Sequence, residues 1–352
     1  MEARLMTGNE AIAEAAIQAG CRYFFGYPIT PQNEIPEYMS KRLPEVGGVY
    51  LQAESEVAAI YMLFGAAGAG ARVMTSSSSP GISLMQEGIS YIAAAQLPCV
   101  IVNIMRGGPG LGGIQPSQSD YFQATKGGGH GDYHMLVLAP HTVQEAVSLT
   151  IEAFDLADKY RNPVMILGDG YLGQMMEPVE FKKTVQPNLP AKNWALTGAK
   201  GRPPNLLRTL YLDPVVLEKV NLDINRKIQE MVKNEVRVET YQTDDAEVVI
   251  AAYGTVARIA KTAIKILREK GIKAGLVRPI SVFPFPYETF KKIADNVNRF
   301  LVTEMSFGQM LEDVNLGVCG KAKIRFYGRT GGMVPSYDEI INATVKLVKE
   351  AD

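Results

Sequence analysis

CRYFFGYPITPQNEIPEYMSKRLPEVGGVYLQAESEVAAIYMLFGAAGAGARVMTSSSSPGISLMQEGISYIAAAQLPCVIVNIM, residues 21–105, is the stretch that decides the fold. It opens on an apolar strand, Cys21–Phe25. Thr30 and Pro31 then read as an N-cap and first-turn proline, opening a helix that ends near Lys41. Val49–Gln52 is a second strand, Ser55–Ala69 a helix of small residues, and Arg72–Thr75 a third strand. Pro80–Ala95 returns as a helix, and Cys99–Met105 is a β-branched apolar run. Strand–helix units with short connections predict a mostly parallel, doubly wound α/β sheet with helices on both faces.

The same alternation extends outward. Upstream, residues 7–19 form an Ala-rich helix behind Thr7, closed by Gly20 where a left-handed cap is common. Downstream come strand Met135–Leu138, helix Val143–Lys159 and strand Pro163–Leu167. From about Glu180 to Glu239 the pattern lapses into a segment rich in Pro, Gly and Asn, followed by a polar helix at Pro214–Asn234 that packs across a neighbouring domain. Alternation resumes at Val248–Ala252 and runs through Thr255–Lys270, Ala274–Val277, Tyr287–Asp295, Phe300–Thr303, a helix from Gly308, Lys323–Tyr327 and Tyr337–Glu350. The expected division is a first α/β domain at 1–180, a linker with a helix at 181–239, and a second, smaller α/β domain at 240–352.

Bulk composition narrows the function. With 47% hydrophobic and 21% charged residues and a formal net charge of −1, nothing directs the chain to nucleic acid or an anionic membrane surface. The start, with Glu2 and Glu10, lacks the basic and apolar run of an export signal, and no apolar stretch is long enough to span a bilayer. A cytoplasmic location is expected. Cys21, Cys99 and Cys319 stand apart and only three histidines are present, so no metal site or cluster is expected in this chain.

Chemistry is expected in loops beyond the strand ends. Thr30, in GYPITPQ, either caps its helix or presents a hydroxyl and free N–H groups to an anion. Glu54 and Glu56 are either exposed first-turn acids or include one carboxylate held in a dry cleft to hydrogen-bond a heterocycle's ring nitrogen. Arg106 runs into five glycines within Gly107–Gly113, a loop expensive to order unless its backbone passes close to something. Its guanidinium is either a surface charge or a bidentate grip on a carboxylate. SSSSPG at Ser76–Gly81 is a hydroxyl-lined or merely polar turn, and KGGGHGD at Lys126–Asp132 reads as a mobile loop.

These motifs together resemble the α-type subunit of 2-oxoacid:ferredoxin oxidoreductases. YPITP at Tyr27–Pro31, the ESE-plus-Ala-helix block at Glu54–Gly70, RGGPGLGGIQPSQSDYFQ and KGGGHGDYH carry the resemblance in the first part. AEVVIAAYGTVARIAKTAIKILREKGIKAGLVRPISVFPFP resembles the transketolase C-terminal-type domain. The resemblance covers essentially the whole chain. It implies a thiamine pyrimidine-binding domain followed by a transketolase C-terminal-like one. A 2-oxoacid would be decarboxylated with thiamine diphosphate, coenzyme A would take the acyl group, and electrons would pass through iron–sulfur clusters to ferredoxin.

By that resemblance Glu56 pairs with the pyrimidine ring nitrogen, with Glu54 its close competitor. Thr30 lies near the substrate carbonyl and Arg106 holds the substrate carboxylate. Tyr27, Pro28, Ile29, Thr30 and Ser79 border the cofactor. The diphosphate and its Mg2+ are implied in a β-type partner, and [4Fe-4S] clusters in γ-type and ferredoxin-like partners. Gly168-Asp169-Gly170 resembles the start of the magnesium–diphosphate motif, but YLGQMMEPVEF directly after it does not read as a convincing helix, and Asn188 and Asn193 fall short of the expected spacing. It is rejected as a metal site. The glycine loop resembles branched-chain (2-oxoisovalerate, 3-methyl-2-oxobutanoate) enzymes more than 2-oxoglutarate ones, since Leu111 and Ile114 come with no extra arginine for a distal carboxylate. A catalytically idle assembly subunit and a self-contained thiamine lyase are the rival classes.

Overall fold

The computed structural model describes residues 3–181 and 189–350. The first part contains β1 (Arg4–Thr7), α1 (Gly8–Gln18), β2 (Tyr23–Gly26), α2 (Glu34–Glu45), β3 (Val49–Gln52), α3 (Glu56–Gly68), β4 (Val73–Ser77), α4 (Ser79–Ala94), β5 (Cys99–Met105), α5 (Tyr121–Thr125), β6 (Leu136–Leu138), α6 (Val143–Tyr160), β7 (Pro163–Asp169), α7 (Gly170–Gln174) and β8 (Met176–Val179). Then come α8 (Pro214–Asn234), β9 (Val238–Tyr241), β10 (Val248–Ala251), α9 (Gly254–Glu269), β11 (Ala274–Pro279), β12 (Ser281–Phe283), α10 (Tyr287–Ala294), β13 (Arg299–Glu304), α11 (Gln309–Val318), β14 (Lys323–Gly328) and α12 (Tyr337–Lys349). Among the described residues no helix is long and apolar enough to cross a membrane.

A 7-stranded sheet has the order β12-β6-β7-β5-β4-β2-β3, and a 5-stranded sheet the order β14-β13-β10-β11-β9. All pairs within them are parallel except the edges, β12 on β6 and β9 on β11. The expected α/β class with mostly parallel sheets is therefore found. Every residue of β4, β5 and β7 is buried, as central strands covered on both faces must be. Strand β5 shows why: Val100, Val102 and Ile104 enter one core while Cys99, Ile101 and Met105 enter the other.

The first of those cores takes Ile12, Ile35, Met39 and Phe154, so α1, α2 and α6 cover one face. Ile60, Leu63, Ile82 and Met85 bring α3 and α4 to the opposite face. Strand β2 pairs with β3 on one side and β4 on the other. Helices α2 and α4 thus leave toward opposite faces, and the loops after β2 and β4 part into a crevice. That reversal is where open α/β sheets place ligands.

The sheets do not divide the chain at one point. Ser281–Phe283 leaves the second unit to pair with β6, and β9 begins at Val238, inside the segment read as linker. Helix α8 lies where its sequence places it, and its Ile224, Ile228 and Met231 are buried in the same core as Leu136, Leu138 and Tyr160. Buried charge joins the two units. Arg278, 2% exposed, makes two hydrogen bonds to Glu145 at 2.9 and 2.8 Å and one to Glu239 at 2.7 Å. Burial disfavours the Glu145 carboxylate, but hydrogen bonds from His141 and Arg278 and the Arg278 charge outweigh it and hold its pKa down to about 2.

Candidate functional site

The loop after β2 corrects the reading of Thr30. Helix α2 starts at Glu34 behind Asn33, and its first-turn proline is Pro36. The Pro31 carbonyl accepts from Asn9 Nδ2 at 2.8 Å and from Gln174 Nε2 at 3.1 Å. These tertiary bonds turn the chain before the helix begins, so Thr30 is no cap. Thr30 is exposed at the crevice, with Pro28 also exposed and Tyr27 and Ile29 half-buried. Gln32 lies beneath, fully buried and hydrogen-bonded to Ser76 of β4.

Helix α3 separates the two acids. Ser55 caps it, accepting from the Ala58 N–H at 3.2 Å, which makes Glu56 the first helical residue. Glu54 is exposed, whereas Glu56 is only 6% exposed. Among the described residues Glu56 makes no hydrogen bond and no ion pair, an expensive state for a buried carboxylate. It is packed against the start of α4: a Cβ on Gly81 would lie 2.6 Å from Glu56 Oε1 and 2.0 Å from Ser77 Oγ. Only glycine leaves room there.

Arg106 leaves β5 buried, 5% exposed. Its Nη1 donates to the Thr30 carbonyl and its Nη2 to the Leu111 carbonyl, both at 2.9 Å. Its Nε has no partner, and among the described residues no carboxylate neutralises it. The glycine loop has the close approach its composition requires, made to itself. At Gly112, φ is +62°, and a Cβ would stand 1.9 Å from the Gly107 carbonyl oxygen. Ser79, expected beside the cofactor, has its hydroxyl engaged: it accepts from the Arg106 N–H at 3.0 Å and donates to Asp120 Oδ2 at 2.6 Å.

A cleft of about 700 Å3 runs from Thr30 along Ile114, Gln115 and Tyr171 to Gly332 and Val334 of the second unit. Ile114 lines it, 56% exposed, while Leu111, 80% exposed, is not among the residues that line it. Among the described residues no arginine or lysine lines the cleft. Asp169 ends β7 buried, where its Oδ1 accepts from the Tyr171 and Leu172 N–H groups and caps the short helix α7. Burial raises its pKa. Asn188 lies outside the described residues, and among those described no group of three His, Cys, Asp or Glu could hold a metal ion.

Sequence reasoning missed three residues. Gln118 ties the units together, its Nε2 donating to the Tyr253 carbonyl and its Oε1 accepting from the Met305 N–H, both at 3.0 Å. Asn103 is buried and Asp120 half-buried around Ser79, and desolvation raises the Asp120 pKa. Asn103 had a signal, a polar residue inside the apolar run CVIVNIM. The other two had none.

Residues 14–251 match the family model described as pyruvate flavodoxin/ferredoxin oxidoreductase, thiamine diphosphate-binding, and residues 246–340 match pyruvate:ferredoxin oxidoreductase core domain II. The ketoisovalerate oxidoreductase subunit VorB of Methanothermobacter marburgensis is 47% identical over all of both chains. A 2-oxoglutarate synthase subunit KorA of Methanocaldococcus jannaschii is 37% identical over 98% of this chain and 100% of that one. The solved 2-oxoglutarate:ferredoxin oxidoreductase of Magnetococcus marinus superposes with a TM-score of 0.85 at 27% identity, over 99% of this chain and 66% of that one. A split-gene transketolase shares the fold at 14% identity, with a TM-score of 0.60 over 97% and 98% of the two chains. With both of its α/β units matched, the chain belongs to the pyruvate flavodoxin/ferredoxin oxidoreductase family, as a 2-oxoacid:ferredoxin oxidoreductase subunit.

Proposed function

We propose that this chain holds the pyrimidine side of thiamine diphosphate in an enzyme that oxidatively decarboxylates a branched-chain 2-oxoacid, 3-methyl-2-oxobutanoate, with coenzyme A and ferredoxin as co-substrates. One observation carries the reading: Glu56 is buried against the start of α4, and among the described residues it has no donor of its own. A ring N–H of a bound heterocycle is the partner it lacks, and the Gly81 gap sets where the carboxylate stands. Bound thiamine diphosphate supplies the carbon nucleophile and electron sink for loss of CO2.

The chain's own residues do the rest. Glu56 accepts a hydrogen bond at its carboxylate and fixes the orientation of the heterocycle. Tyr27, Pro28, Ile29 and Thr30 border it, and the exposed Thr30 hydroxyl, whose oxygen accepts from Asn33 Nδ2 at 3.5 Å, keeps its proton to donate to a substrate carbonyl. Arg106, desolvated and among the described residues without a counter-ion, takes the substrate carboxylate. Ile114 offers apolar surface in the cleft for a branched side chain, and among the described residues lining it no arginine or lysine stands ready for a second carboxylate. The name borne by the 47%-identical relative supports the same substrate class.

The diphosphate and Mg2+ fall to a β-type partner, and the [4Fe-4S] clusters to γ-type and ferredoxin-like partners. Asp169, committed to capping α7, and Cys21 and Cys99, whose thiol pKa values burial raises, are consistent with that division. The test is the reconstituted complex assayed with a viologen acceptor. Glu56→Gln is expected to lower turnover by about 10²–10³-fold, the scale for losing one charge-assisted contact in a buried site, while Glu54→Gln leaves it within twofold. Full turnover in Glu56→Gln would leave only an assembly role. A higher kcat/KM for 2-oxoglutarate than for 3-methyl-2-oxobutanoate would overturn the substrate.

A further inference from the structure

Asp120 stands at the N-cap position of α5, yet its carboxylate makes no cap bond. It turns inward instead, accepting from Ser79 Oγ at 2.6 Å and from Asn103 Nδ2 at 2.9 Å. The same Ser79 oxygen accepts from the Arg106 N–H at 3.0 Å, and Asn103 Oδ1 accepts from the Ser79 N–H at 3.2 Å. Side chains from β5, α4 and the start of α5 thus close one largely buried network around the backbone of Arg106. The segments flanking Asp120 are bound to the second α/β unit. The Gln118 N–H donates to the Met305 carbonyl at 2.9 Å, and Gln309 grips the Ser119 carbonyl at 2.7 Å and the Phe122 N–H at 2.8 Å. Tyr121 donates its hydroxyl to Asp313 at 2.6 Å.

We infer that Asp120 is a positioning residue for Arg106, transmitting the docking of the second unit to the grip on the substrate carboxylate. Rotational freedom is what Asp120 removes. A serine hydroxyl rotates, and its lone pairs face the Arg106 N–H only while its own proton is directed elsewhere. The short bond to Asp120 fixes that direction. With the acceptor gone, the proton turns to its other neighbour, the Arg106 carbonyl at 3.2 Å, and the strand exit loosens where the guanidinium is aimed. Asp120 touches neither cofactor nor substrate in this scheme and acts only through Ser79.

The inference rests on the reading of Arg106 proposed above, and the experiment separates the two. In the assembled oxidoreductase, Arg106→Ala, Ser79→Ala, Asp120→Ala, Asp120→Asn and the double variant Ser79→Ala/Asp120→Ala are compared. Asp120→Ala and Ser79→Ala are each expected to raise KM for the 2-oxoacid by about 10-fold, with kcat within threefold and half-saturation by coenzyme A and thiamine diphosphate unchanged. The double variant is expected to match the singles, because both break one relay. Asp120→Asn, which keeps an acceptor oxygen, restores most of the loss. If Arg106→Ala leaves that KM unchanged, the carboxylate reading fails. If Arg106→Ala raises it while Ser79→Ala and Asp120→Ala stay within twofold of the parent, the relay fails. Should Asp120→Ala not assemble, Ser79→Ala decides alone.

Discussion

Replacing Gly81 with alanine adds one methyl group at a place where the backbone permits it and the chemistry is untouched. Gly81 sits in the first turn of α4 without a positive φ, so the substitution carries no conformational penalty. Its new Cβ, however, would lie 2.6 Å from Glu56 Oε1, against about 3.4 Å for ordinary contact, so the carboxylate must retreat by about 0.8 Å. Ser77 Oγ, at 2.0 Å, must move further. A misplacement near 1 Å in a reacting constellation costs about 10²-fold, close to 3 kcal/mol of transition-state stabilisation. The assay is turnover of the reconstituted complex with a viologen acceptor, alongside thermal melting. Gly65, in the exposed middle of α3 with nothing within 4 Å of its Cβ position, is the control. Gly65→Ala is expected to gain about 0.5–1 kcal/mol of stability at unchanged turnover. Adding Ser77→Ala to Gly81→Ala should not rescue activity, because the Glu56 contact remains. If Gly81→Ala keeps turnover within threefold of the parent, Glu56 does not work from the position seen here.

Gly112→Ala, at φ +62° and with its Cβ 1.9 Å from the Gly107 oxygen, should open the loop that offers the Leu111 carbonyl to Arg106, and steady-state kinetics should show a raised KM for the 2-oxoacid. Gln118→Ala strips partners from the Tyr253 carbonyl and the Met305 N–H, at about 1–3 kcal/mol for each buried group left unpaired, so calorimetry should record a Tm lower by several degrees. Acid stability should depend on Glu145. Its pKa is depressed from 4.5 to about 2, so its contribution is complete above about pH 4.5 and disappears as pH falls toward 2. That contribution is about 3 kcal/mol at most. Denaturant titrations should show Glu145→Gln less stable than the parent at pH 7, with the difference closing below pH 4.

The central strands could be read from sequence because burial on both faces leaves them no choice but continuous apolar runs, as in Cys99–Met105 and Pro163–Leu167. The start of α2 could not. Thr30-Pro31 has the local chemistry of a cap and first-turn proline, and what displaces the helix to Glu34 is the capture of the Pro31 carbonyl by Asn9 and Gln174, the latter 143 residues away. The same holds for Ser281–Phe283, too short to signal a strand and paired across to Leu138. In the site, residue types were legible and their relations were not. Nothing in ESE ranks Glu56 over Glu54 until Ser55 takes the cap and turns one acid inward while leaving the other in water. Asp120 stayed silent because its meaning depends on Ser79, 41 residues earlier.

One relation is more telling than any single residue. Glu56 and Arg106 carry opposite charges, are both nearly buried, and follow strands β3 and β5 of one sheet, yet among the described residues neither forms an ion pair. Left to electrostatics alone, two desolvated opposite charges lower their energy by meeting. Here the fold gives each its own seat: Gly81 lets the carboxylate stand against α4, and the Thr30 and Leu111 carbonyls hold the guanidinium. The two carbonyl acceptors engage Nη1 and Nη2 without neutralising the arginine, so both charges remain available. A structure selected for stability alone would gain by pairing them or by replacing both with apolar side chains. Keeping them apart gains nothing until a molecule arrives with a donor for one and an anion for the other.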